Sequence, residues 1–272
     1  MIQLRSHREI QKLRYAGLVV WEAHHCVSQR VVECVTTQQL DAVVESVFER
    51  FRAVPLFKGV PGKFPFPAVT CISVNEQVVH GIPGPRVLTS GDIVSVDTGC
   101  RLDGWCGDSA VTYAVGGVSP GVQELLDVTS GVLQRAITWL GTMSRWSQVA
   151  REMATYVRDH GFSVVEDFVG HGIGRQMHED PEVPNYDSPR FRRRGDFPLR
   201  PGLVLAIEPM VNMGTKQVKC LDDAWTQVTL DGAWSAHFEH TVALTEQGPW
   251  ILTGPPTTAE LAWLESYGAT PQ

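Results

Sequence analysis

The chain predicts an α+β fold built by duplication: two helices then strands, followed by two helices then strands again. Two further observations support this. Gly116-Gly117-Val118-Ser119-Pro120 breaks both the strand and the helix pattern near mid-chain. A length of 272 residues, 43% hydrophobic and 19% charged, suits a globular chain of one or two structural units. The expectation is a single domain over 1–272, with pseudo-repeats at about 1–118 and 119–250, each supplying part of a shared site.

Ile10, Leu13, Val20, Trp21, Val27 and Val31 recur at helical spacing, which predicts one long amphipathic helix over 6–34. Thr36 and Thr37 are candidate caps for a second helix carrying Leu40, Val43, Val44, Val47 and Phe51. Residues 55–67, rich in Pro, Gly and Phe, read as a loop. Strands follow over 68–74, 93–99 and 105–115. Ser119-Pro120 opens a third helix with Val122, Leu125, Leu126, Leu133, Ile137 and Leu140 on one side, and a fourth covers about 144–159. Strands near 162–169, 203–208, 215–220, 225–230 and 237–244 complete the pattern.

A net charge of −7 and a pI near 5.7 argue against a general nucleic-acid binder. The six cysteines form no Cys-x-x-Cys pair and read as reduced, mostly buried thiols of a cytoplasmic protein. The first apolar run, Tyr15 to Trp21, is short and ends at Glu22, so neither a signal peptide nor a membrane span is expected.

The chemistry concentrates in five residues. Asp97 lies in Val96-Asp97-Thr98-Gly99, Asp108 in Gly107-Asp108-Ser109-Ala110, and His171 in Gly170-His171-Gly172-Ile173-Gly174. Glu208 lies in Ile207-Glu208-Pro209-Met210, and Glu239 in Phe238-Glu239-His240-Thr241. Four carboxylates and one imidazole beside glycine, proline or β-branched residues suggest strand ends, and so much negative charge in one place requires cations. A hairpin centred midway between the two aspartates, at residue 102.5, would set them opposite each other; a turn at Asp103-Gly104 would slip the register by two and keep them on one face. Glu208 ends the apolar run Leu203–Ile207, where an acid is costly unless paired or metal-bound. The glycines around His171 let backbone approach closely and hold the imidazole on a loop. His178-Glu179 is not a His-Glu-x-x-His zinc helix, because Glu182 replaces the second histidine and Pro181 breaks the helix. Hard oxygen ligands suit Mn²⁺, Fe²⁺ or Co²⁺ at least as well as Zn²⁺.

These motifs, with Cys71-Ile72-Ser73-Val74-Asn75-Glu76 and His80-Gly81-Ile82-Pro83, closely resemble the type I methionine aminopeptidases over about residues 5–250. The resemblance implies the pseudo-symmetric, duplicated "pita-bread" fold, an antiparallel sheet with helices on its outer face. It implies two divalent metal ions (Co, Mn, Fe or Zn), with Asp97 chelating one, Asp108 and Glu239 bridging, and His171 and Glu208 completing the second. It implies water attack on the first peptide bond, so that the N-terminal methionine of nascent polypeptides is removed when the second residue is small. His178 matches the residue that holds the scissile peptide, and His80 the one near the leaving nitrogen. Phe66, Cys71, Phe168, Met177 and Trp225 are implied as the methionine pocket; as residues alone they read equally well as core. Lys63-Phe64-Pro65 and His237 depart from the usual pattern. The spacing from His178 to Glu208, 208 − 178 = 30 residues, is too short for the insertion of type II enzymes. The basic run with Arg190, Arg192, Arg193 and Arg194 reads either as a contact with ribosomal RNA or as a solvated surface loop. A monomer with no membrane partner is expected. The alternatives are a proline dipeptidase or aminopeptidase of the same fold, and a non-catalytic binding relative.

Overall fold

The computed structural model describes residues 1–268. The first half runs α1 (His7–Ser28), α2 (Thr37–Phe51), β1 (Val54–Pro55), β2 (Cys71–Val74), β3 (Gln77–Val79), β4 (Ile93–Leu102) and β5 (Trp105–Ala114). The second opens with α3 (Pro120–Leu140), α4 (Trp146–Asp159), β6 (Ser163–Val164), β7 (Gly170–Gly172), β8 (Glu179–Val183) and α5 (Pro189–Arg194). It continues with β9 (Val204–Ile207), β10 (Met210–Asn212), β11 (Val218–Cys220), β12 (Gln227–Thr229), β13 (Ser235–His237), β14 (His240–Thr245), β15 (Gly248–Ile251) and α6 (Thr258–Gly268).

Local chemistry explains most boundaries. Ser6 caps α1 and Thr36 caps α2, each in a reciprocal capping box, and Ser119 caps α3 with Pro120 in its first turn. The first helix stops at Ser28, short of the 6–34 predicted. Beyond it Val31 packs against the same core from a turn, and Cys34 at φ 68° bends the chain into α2, so the apolar spacing outlasts the helix. The strand predicted over 162–169 shrinks to β6, which pairs only with β10.

Each helix pair closes its own apolar core. Leu18, Val19, Val44, Phe48 and Phe51 of α1 and α2 pack on Ile72, Val94 and Val96 of β2 and β4. Leu125, Val132, Trp146 and Met153 of α3 and α4 pack on Leu205, Ile207, Val211 and Val242 of β9, β10 and β14. The strands pair antiparallel throughout, in the orders β1-β4-β2 with β5 on β4, β13-β10-β6, β11-β12-β3 and β15-β14-β9-β7-β8. The two halves are stitched by β12 against β3 and by side-chain bonds from β5 to the β13–β14 segment. Among the described residues no helix is long and apolar enough to cross a membrane.

The basic run forms the short helix α5 rather than a loop. Phe191 anchors it edge-on against Phe197, leaving Arg190, Arg192, Arg193 and Arg194 exposed, with Arg192 paired to Asp187.

Arg14, 4% exposed on α1, ties the far end of the chain to the first helix. Its Nη1 donates to the carbonyls of Leu252 (2.7 Å) and Gly254 (2.8 Å), Nη2 to that of Pro255 (2.8 Å), and Nε to Glu260 Oε1 (2.8 Å). Losing one partner of a buried, hydrogen-bonded charge pair costs about 3–5 kcal/mol. Arg14→Ala is therefore expected to lower the melting temperature by roughly 5–10 °C, read by thermal denaturation. The Arg14 hydrogen bonds pull the Glu260 pKa from 4.5 down to about 2. A depressed folded-state pKa stabilises above the unfolded value, so this contribution is complete above pH 4.5 and lost as pH falls towards about 2. The variant should lose that part of the acid dependence; a wild-type melt and pH profile would refute the clamp.

Candidate active site

The β4–β5 hairpin turns at Asp103-Gly104, with φ of 48° and 78°, and Leu102 pairs Trp105. Asp97 therefore faces Ala110, and Asp108 faces Gly99: the aspartates are diagonal neighbours on one face, the slipped register rather than the directly opposed one. Gly99 makes room for this arrangement. A Cβ there would lie 2.9 Å from Asp108 Oδ1.

The structure sets His171 on β7, between β8 and β9, and not on a loop. Its glycine neighbours are explained by crowding: a Cβ at Gly170 would meet the Ala206 carbonyl oxygen at 2.3 Å, and one at Gly172 that of Asp180 at 2.2 Å. The His171 Nδ1–H donates to the Gly172 carbonyl (3.0 Å), which leaves the Nε2 lone pair facing the cavity. Glu208 follows the last residue of β9, and its carbonyl accepts from Asn185 Nδ2 at 3.1 Å. Glu239 lies in the break between β13 and β14, where its N–H donates to the Ala110 carbonyl (2.8 Å) and its carbonyl accepts from Ser109 Oγ (2.7 Å). Asp108 is held from β14, its N–H donating to Thr241 Oγ1 at 3.1 Å.

These placements bring all five residues to one cavity of about 240 Å³. Ligand atoms of Asp108, His171 and Glu239 lie within 4.8 Å of one another, and His171 Nε2 is 3.6 Å from Glu208 Oε1 and 4.0 Å from Asp108 Oδ2. Burial lifts the Asp108 carboxyl to a pKa of about 7. Burial, reinforced by neighbouring carboxylates, holds Asp97, Glu208 and Glu239 well above the ordinary range. Burial also pushes His171 and His80 down to about 4, with His178 adding to the effect on both.

Among the described residues Asp97 Oδ1, Asp108 Oδ1 and Glu239 Oε1 are buried without a hydrogen-bond partner, and no lysine or arginine lines the cavity. Buried acceptors are normally satisfied. Clustered oxygen acceptors beside a lone imidazole nitrogen, with no cationic side chain to balance them, fit a hard divalent cation.

His80 and His178 flank the cluster. His80 sits at φ 60°, an uncommon conformation for a residue with a side chain, and packs edge-on against Phe168 with ring centroids 5.3 Å apart. His178, at the cavity mouth, meets the His171 ring edge-on at 4.3 Å. Phe66, Cys71, Met177 and Trp225 line the apolar wall, Phe66 and Trp225 in T-shaped contact at 5.2 Å. Phe168 stands behind His80 and is not among the lining residues.

Two further wall residues, Phe57 and Val60, belong to the stretch read as a loop. That stretch is folded back on itself: Gly59 N–H donates to the Phe66 carbonyl (2.8 Å), and Phe66 N–H to that of Val60 (3.0 Å). The signal was a Phe and a Val within a Pro/Gly-rich stretch, where solvent-exposed apolar residues would be unusual.

The profile of metallopeptidase family M24 matches residues 11–246. The chain is 45% identical over 253 residues to methionine aminopeptidase 1 of Bacillus subtilis, covering 93% of this chain and 99% of that protein. It is 47% identical over 254 residues to the methionine aminopeptidase of Clostridium perfringens, again covering 93% and 99%. The crystal structure of methionine aminopeptidase from Thermotoga maritima superposes with a TM-score of 0.88 at 43% identity, covering 94% of this chain and 100% of that one. Identity of this extent, on the same pita-bread fold and over nearly the whole length, means that the chain belongs to metallopeptidase family M24.

Proposed function

We propose that this protein is a metal-dependent methionyl aminopeptidase that removes the N-terminal methionine of nascent polypeptides when the second residue is small. The observation that carries this is the set of buried carboxylate oxygens, unpartnered among the described residues, at the floor of an apolar-walled cavity that opens at His178. In this reading residues 1–272 act as one catalytic domain, with repeats at about 1–118 and 119–250 meeting at the site. Asp97, Asp108, His171, Glu208 and Glu239 hold two divalent ions (Co, Mn, Fe or Zn).

Bound cations acidify water and draw charge from the scissile carbonyl oxygen. The protein's own groups do the rest. The apolar wall of Phe66, Cys71, Met177 and Trp225 takes the methionine side chain, with Met177 able to adapt to a thioether. The cavity floor receives the free α-amine among carboxylates, so a blocked N-terminus does not fit. Glu208, raised by burial and by Asp97 and Asp108, takes the proton of the attacking water and returns it to the leaving amide nitrogen as the C–N bond breaks. His178 donates to the peptide at the mouth, and His80 stands near the leaving nitrogen.

A bulky second residue would displace the carbonyl, and a misplacement of about 1 Å costs roughly 100-fold. Met-Ala-Ser is therefore expected to exceed Met-Leu-Ser in kcat/KM by about two orders of magnitude, and formyl-Met-Ala-Ser to release no methionine. Comparable kcat/KM for the first two peptides, in competition, would reject the small-residue rule; cleavage of the formylated peptide would reject amine recognition at the floor. We further read the protein as a cytoplasmic monomer, with Arg190, Arg192, Arg193 and Arg194 on α5 as the face offered to ribosomal RNA.

A further inference from the structure

His237 is 1% exposed, and its Nε2 is buried with no hydrogen-bond partner among the described residues. That nitrogen lies 3.9 Å from Glu208 Oε2, while the other oxygen, Oε1, lies 3.6 Å from His171 Nε2. Glu208 thus stands between two imidazoles, one to each oxygen. The His237 backbone is locked: its N–H donates to Thr112 Oγ1 (2.9 Å), its carbonyl accepts from the same hydroxyl (2.8 Å), and it pairs with Met210 across β10 and β13.

We infer that His237 is a positioning residue for Glu208, its Nε2–H donating to Oε2 so that Oε1 is presented to the cation site beside His171. The inference rests on the cation-centre reading above. A neutral imidazole carries one donor and one acceptor nitrogen, and beside a carboxylate the donor tautomer is the favourable one. The separation exceeds a charge-assisted hydrogen bond by roughly 1 Å, a gap small enough that a turn of the Glu208 carboxylate about its side-chain bonds would close it. Direct ligation by His237 fits less well. His171 has an acceptor on Nδ1 that frees Nε2 as a lone pair, whereas among the described residues no acceptor stands against Nδ1 of His237. Groups that orient a metal ligand in this way are worth about 10–100-fold in metal affinity.

The test is calorimetric titration of Mn²⁺ into metal-free wild type, His237→Leu, His237→Asn and His237→Gln, with kcat and KM on Met-Ala-Ser. His237→Leu should bind Mn²⁺ about 10–100-fold more weakly and lose kcat, with KM within about twofold of wild type. His237→Gln, which keeps an N–H donor at similar reach, should recover both. His237→Asn, whose donor falls short, should resemble His237→Leu and serves in its place if that variant does not fold. Wild-type affinity in the Leu or Asn variant, or a Gln variant as weak as Leu, would overturn the assignment. A wild-type protein that takes up no Mn²⁺ would overturn the cation centre itself, which is a distinguishable result.

Discussion

Asp108→Ala and Glu239→Ala should each reduce methionine release beyond the roughly 10²–10³-fold cost of losing one oxyanion donor, to near background at every Mn²⁺ concentration. Each removes one of the acceptors clustered about His171, and both bear oxygens left without a hydrogen-bond partner among the described residues. A variant retaining a tenth of wild-type kcat/KM would exclude its carboxylate from the centre. The same residues make metal-free stability depend on pH in a stated direction. The Asp108 pKa is raised by burial from 3.8 to about 7, so the folded protein holds a proton that the unfolded chain has released. Its contribution is full below pH 3.8 and is lost as pH rises through about 7, with Asp97, Glu208 and Glu239 shifted the same way. Metal-free protein should therefore melt at lower temperature as pH rises from 4 to 8, and Mn²⁺ should reverse the trend. Asp108→Asn should make the metal-free profile shallower, the other three carboxyls keeping the rest of the slope, while abolishing turnover. A flat wild-type profile would count against a buried, unbalanced carboxylate cluster.

His178→Ala should keep its cations and lose kcat by roughly 10²–10³-fold, about 3–4 kcal/mol of transition-state stabilisation. The hydrogen bond it offers at the cavity mouth strengthens only as the carbonyl becomes tetrahedral, so KM should change little. Because its ring packs edge-on against His171, cation stoichiometry must be measured alongside the rates. Lost stoichiometry would move His178 into the coordination shell. His80→Ala should follow the same pattern, through the leaving nitrogen.

The parts of this molecule that were legible in the sequence are those set by neighbours along the chain. Ser119-Pro120 opens α3 because its capping chemistry is local, and Thr36 does the same for α2. The five acidic and imidazole positions stood out because a carboxylate next to buried strand residues has few bland explanations, and all five meet in one cavity. What escaped depends on distant partners. Gly170–Gly172 looks like a loop until β8 and β9 flank it, and only their carbonyls explain its glycines. The pairing of β12 with β3, Gln227 against Val79, joins segments about 150 residues apart and leaves no local mark. The hairpin register hinged on which residues could take positive φ, and Asp103-Gly104 decided it.

The Arg14 clamp sets an order of events during synthesis. The guanidinium emerges early, yet the carbonyls and carboxylate that satisfy it lie 238 to 246 residues further along the chain. At ordinary elongation rates that is a wait of roughly 10–50 s. Throughout that interval the guanidinium keeps its hydration shell, so α1 lies on its strands without the tie that later fastens it. The last fastening of the first helix thus waits for the end of translation, and a chain stalled before residue 252 should be more open to proteases around α1 than the finished protein.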